Sequence, residues 1–142
     1  MKNLMLSFVA VLAFALGALS NPAHVMAASE MGYNGYTAKT AAYTVTPAEN
    51  GTTFTNRGDD GTITFTLPAP FKDAHYRFVS IAAYAITVAS DTVDTLIGYN
   101  DLDLDSIAGP ATTAGVWIEV VSDGTSWIAI APTVGATYTL ND

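Results

Sequence analysis

Asp101, Asp103 and Asp105 alternate with Leu102 and Leu104, and they form the most concentrated group of reactive side chains in the sequence. On a strand, residues at i, i+2 and i+4 share one face, so the three carboxylates would line up as hard oxygen ligands. Calcium takes about six to eight oxygens, and an EF-type loop wants Gly at its sixth position and Glu at its twelfth. Those positions here are Ser106 and Thr112, so that motif fails. A Ca2+ ion on Asp101, Asp103 and Asp105 would need further oxygens, with Asp91 or Asp94 within reach in sequence. The plain alternative is a solvated acidic strand face with both leucines turned inward. No other cofactor is expected.

The remaining chemistry is thin. His75 is the only histidine beyond residue 24, so neither a histidine-rich metal site nor a two-histidine relay can form downstream of it. A Ser–His–Asp arrangement would have to use His75, which lies in a strand pattern beside Arg77 and has no Gly-x-Ser-x-Gly elbow to serve it. Without cysteine there is no thiol nucleophile, disulfide or cysteine-ligated zinc. No phosphate-cradling glycine loop precedes a helix. The expectation is a non-enzymatic protein. Among the aromatics, Trp117, Trp127, Tyr84 and Tyr99 are the candidate stacking platform for a surface glycan. Trp117 falls in phase with Glu119, opposite Val116 and Ile118, which points it to solvent or a partner; burial in the core is the alternative. Arg57-Gly58-Asp59 spells a tripeptide that adhesion receptors read, here inside a Gly/Asp turn, and Asn50-Gly51-Thr52 is a glycosylation sequon.

The elements that must carry these residues are strands. Gly61-Thr-Ile-Thr-Phe-Thr-Leu-Pro68 alternates strictly, with Ile63, Phe65 and Leu67 on one face and Thr62, Thr64 and Thr66 on the other. That is the period of a half-buried strand. Similar short runs start at Tyr43, Thr52, His75, Tyr84, Asp91, Val116, Ser126 and Thr137. In His75–Ile81, Tyr76 and Phe78 oppose Val79 and Ile81, so both faces are apolar, as in an interior strand or one covered by a partner chain. Asp123-Gly124 sits at the centre of a hairpin link between Val116–Val121 and Ser126–Ile130. Strands recurring every eight to twelve residues or so, with Gly, Pro, Asn and Asp between them, predict a sandwich or barrel.

The chain has 142 residues, half of them apolar and 13% charged, which suits one folded domain. Its net charge of −8 argues against nucleic acid or anionic lipid as partner. Residues 1–27 differ in kind: Lys2 precedes the apolar run Leu4–Ser20, and Val25-Met26-Ala27 offers small residues at a cleavage site. This is the layout of a secretory leader. A short membrane anchor and a retained segment that inserts into a membrane or assembly partner are the alternatives. Residues 28–42 read as an arm carrying Tyr33 and Tyr36, without sustained periodicity. Tyrosine suits interfaces because it combines apolar area with a polar tip.

Tyr43-Thr-Val-Thr46, Gly51, Asn56-x-Gly58, Gly61–Pro68, Tyr76-x-Phe78 and Gly124-x-x-Trp127 together resemble a β-rich domain of tailed-phage virion proteins. That domain recurs on fibre and head-decoration proteins, and the resemblance covers roughly residues 43–130. Family members usually carry Gly before the Tyr-x-Phe strand, where this chain has Lys72-Asp73-Ala74. They also generally lack a secretory leader. The resemblance implies a trimeric, non-enzymatic structural protein on a particle surface, in contact with other virion proteins, and brings no catalytic residues.

The expectation is therefore a single all-β domain over 43–142, an antiparallel sandwich or jelly-roll-like barrel. Its work would be self-association through Tyr33, Tyr36, Val79, Ile81 and Trp117, at a virion surface. The alternative is an exported carbohydrate-binding sandwich, secreted or held at the cell surface after leader cleavage.

Overall fold

A computed structural model describes residues 34–92, 95–99, 101–131 and 137–142. Within them the chain is all-β, as expected, and its strands form two packed sheets. In order they are β1 (Tyr36–Ala38), β2 (Tyr43–Thr44), β3 (Thr53–Thr55), β4 (Ile63–Thr66), β5 (His75–Val79) and β6 (Ile86–Ala89). There follow β7 (Leu96–Gly98), β8 (Asp101–Leu104), β9 (Ser106–Ala108), β10 (Trp117–Ser122), β11 (Trp127–Ile130) and β12 (Thr139–Asn141). One sheet has seven strands in the order β1-β3-β5-β10-β11-β7-β8; the other has five, β12-β9-β6-β4-β2.

Pairing is mixed, which corrects the antiparallel expectation. β1–β3, β3–β5, β2–β4, β4–β6 and β11–β7 are parallel. From β1 to β6 the chain steps from one sheet to the other at every turn. Each crossing reverses direction, so strands two apart in sequence run the same way and become neighbours. A turn that crosses between sheets uses the same Gly, Pro and Asn residues as one that closes a hairpin, so periodicity cannot distinguish them. Where a hairpin was expected it forms: β10 and β11 pair antiparallel, with Gly124 at φ +102° and Asp123 accepting the N–H groups of Thr125 and Ser126. The described part of the 28–42 arm also gains structure, since β1 adds to the edge of the larger sheet and β2 follows on the edge of the smaller one.

The alternation of 61–68 translates directly into burial. Ile63, Phe65 and Leu67 are buried, while Thr64 and Thr66 stay on the outer side. Phe65 meets Phe78 (centroids 5.0 Å apart) and Phe54 (5.6 Å), and Phe54 stacks on Phe78 at 5.6 Å. Full burial contributes roughly 1.5–3 kcal/mol per large side chain before ordering entropy is subtracted.

A single 3₁₀ turn, Pro47–Glu49, links β2 to β3. Glu49 Oε2 accepts from the Thr46 N–H and hydroxyl (2.9 Å each), and Oε1 accepts from the Tyr43 hydroxyl at 2.8 Å. Partial burial pushes the Glu49 carboxyl up, but the bonds from Thr46 and Tyr43 and the Lys39 charge outweigh it and hold the group below its ordinary range. A depressed folded-state pKa adds stability above the unfolded value, and that stability disappears as pH falls through the folded one. Urea melts of Glu49→Gln should thus show a loss below about 1 kcal/mol at neutral pH, because solvent screens the site. The gap to wild type should shrink on acidification; a gap that widens would contradict this account.

Candidate functional site

The outer face of the seven-stranded sheet is the surface the strand pattern least explains as a solvated one. Register places Thr53, Arg77, Glu119 and Ile130 in one row across β3, β5, β10 and β11. A second row holds Thr55, Val79 and Trp117; a third holds His75, Val121, Ile128 and Ile97. Ile130 is 46% exposed and Ile128 37%, and Val79, Trp117 and Val121 are half-buried. Arg77 lies in the middle of these apolar residues. Its Nε donates to Glu119 Oε2 at 2.9 Å, its Nη2 bonds the same oxygen, and its guanidinium carbon sits 5.3 Å from the Trp117 ring centroid. A large apolar patch broken by one ion pair has the anatomy of a protein–protein contact.

The opposite outer face, on the five-stranded sheet, is chemically different. Thr64, Thr87, Ala108 and Thr139 form one row; Thr44, Thr66, Ala89, Ser106 and Asn141 form the next. Every side chain in these rows is small and uncharged.

The expected contact residues scatter between these surfaces. Val79 and Trp117 are register partners on the larger sheet's outer face. Tyr36, 85% exposed on edge strand β1, pairs with Thr53. Ile81 lies past the end of β5, where Asn56 Oδ1 accepts its N–H at 2.7 Å. Tyr33 lies outside the described residues. Arg77, Glu119, Val121, Ile128 and Ile130 complete the face but were not singled out from sequence. In Trp127-Ile128-Ala129-Ile130 both phases are apolar, so alternation alone does not say which side turns inward.

The stacking platform does not form as expected. Trp127 is fully buried, its Nε1 donating to the Pro68 carbonyl at 2.9 Å and its ring packed against Tyr76 and Phe71. It belongs to the core, because the bulkier phase of β11 fills the space between the sheets. Tyr99 stacks on Tyr138 with centroids 6.3 Å apart, and Tyr84 lies in the turn before β6. Among the described residues no ring contact joins Trp117, Tyr84 and Tyr99.

The acidic cluster also changes membership. Ligand atoms of Asp101, Asp103 and Asp142 lie within 4.8 Å of one another, while Asp105 is not among them. Asp105 sits at the crossing from β8 to β9, and its N–H donates to the Asn141 carbonyl. The chain leaves the sheet there, so i+4 no longer shares a face with i. The same crossing pairs β12 with β9 and so carries Asp142 to the cluster. One oxygen from each of three residues falls short of the roughly six to eight that calcium takes. Asp91 is exposed, and Asp94 lies outside the described residues. β5 and β8 stand third and seventh in the sheet, about 19 Å apart at the usual strand spacing, so these acids do not serve His75. In the Arg57–Asp60 turn, Asp59 Oδ2 is buried with no hydrogen-bond partner.

Neither a protein-family model nor a curated protein matches this chain.

Proposed function

We propose that this chain is a non-enzymatic structural protein that works by self-association, of the surface, decoration or fibre type found on phage particles. The observation that carries the self-association is the outer face of the seven-stranded sheet, where Trp117, Val79, Val121, Ile128 and Ile130 surround a single ion pair. A strand face meant for water carries polar side chains at those alternating positions, like the threonines of the five-stranded sheet, and not large apolar ones. The acids found on the described strands instead sit mainly at the sheet edge, as Asp101 and Asp103 on β8. The particle setting rests on the resemblance of residues 43–130 alone. The burial of Trp127 counts against the carbohydrate-binding alternative, because it removes one of the two tryptophans a sugar would stack on.

Size-exclusion chromatography with light scattering tests the reading on the full chain. A stable oligomer is expected at micromolar concentration, and a clean monomer overturns it. Ile128→Asp combined with Ile130→Asp should raise the dissociation constant at least about 100-fold, since two apolar side chains worth roughly 1.5–3 kcal/mol each become charged. Both residues are surface positions, so the variant should still melt cooperatively.

A further inference from the structure

On the basis of that self-association, we propose that the occupant of this face is a second copy of the same chain, docked about a two-fold axis along the seam between β5 and β10. Residues paired across this seam are complementary: Arg77 with Glu119, and small Val79 with large Trp117. A two-fold axis lying in the interface, parallel to the strands, exchanges the two sides of the seam. Each residue then meets the counterpart of its own register mate. Arg77 faces the partner's Glu119, and Trp117 faces the partner's Val79. β5 and β10 stand third and fourth of seven strands, so the axis passes close to the middle of the sheet; the open area runs from β5 to β11, since Thr53 and Thr55 on β3 are already buried within the chain.

The charges favour the same arrangement. A chain of net charge −8 repels its copy, yet the centre of this face is neutral. Glu119 Oε2 takes both guanidinium bonds, which leaves Oε1 without a partner among the described residues and able to accept from a second Arg77. The contact is isologous, so every favourable pair occurs twice. The apolar residues supply the affinity, and the four charges set the register.

The decisive variant is the double reversal R77E/E119R, which keeps an ion pair within each chain. It should self-associate as wild type does, but not mix with wild type. Across a mixed seam, acid faces acid and base faces base. In subunit exchange between differently tagged full-length chains, mixed species should fall at least about 100-fold below the statistical level. Free mixing overturns the proposal while leaving self-association intact, and so does failure of the folded double variant to self-associate. A wild type that is monomeric overturns both readings. The single reversals give a second measurement if the double variant does not fold: Arg77→Glu and Glu119→Arg should each be monomeric alone and associate when combined. If both fold and the mixture stays monomeric, the proposed pairing is wrong.

Discussion

Replacing Phe54 with alanine should cost about 3–5 kcal/mol, the range for truncating a fully buried aromatic. Phe54 is wholly buried and meets four other rings: Tyr43, Phe65, Tyr76 and Phe78, with centroids between 5.6 and 6.4 Å away. It stands on β3, and the rings around it come from three other strands, β2, β4 and β5, in both sheets, so they cannot close on the void together. Aromatic pairs add about 0.5–1.5 kcal/mol beyond burial, which pushes this site toward the upper end. Urea melts monitored by near-UV circular dichroism measure the effect. Thr64→Ala, on the outer side of β4, should fall within about 0.5 kcal/mol of wild type. If the two variants lose similar amounts, the ring cluster is not the centre of stability.

Asn56→Asp should be nearly as damaging, and in a pH-dependent way. Asn56 is fully buried and satisfies four backbone groups. Its Nδ2 donates to the carbonyls of Ala82 (3.3 Å) and Tyr84 (3.2 Å), and its Oδ1 accepts from the N–H groups of Ile81 (2.7 Å) and Ala82 (3.0 Å). The side chain thereby fixes the turn from β5 to β6, the crossing that makes β6 parallel to β4. An aspartate keeps the acceptor but turns a second oxygen toward two carbonyls, at a cost of roughly 3–5 kcal/mol for an uncompensated buried charge. Burial and those carbonyls raise the introduced carboxyl's folded-state pKa above its unfolded value. The charge penalty is then absent below the unfolded value, near 3.9 or so, grows as pH rises toward the folded one, and is constant above it. Melts at pH 4 and pH 7 should differ by most of the penalty. A loss equal at both would mean that the missing donor, not the charge, does the damage; Asn56→Ala supplies that pH-independent reference.

Asn56 was legible from sequence only as part of an Asn-x-Gly turn. Nothing local marks a side chain whose four partners lie 25 to 28 residues away. Asp142 joined the acids for a comparable reason, since the pairing of β12 with β9 exists only once the chain has crossed between sheets. Trp127 shows the limit of alternation. A strand whose two phases are both apolar can turn either way, and the choice falls to the phase whose volume fits the gap between the sheets.

By itself the sequence determined that the chain is β-structured, that Ile63, Phe65 and Leu67 share the inward face of 61–68, and that Asp123-Gly124 closes a hairpin. Those features depend on side-chain alternation and turn chemistry, both local. Only the tertiary structure decided which strands are neighbours, and with that the parallel pairing and the meeting of Arg77 with Glu119 on an apolar face. Strand order follows from how two sheets share one core, and that is a property of the whole chain.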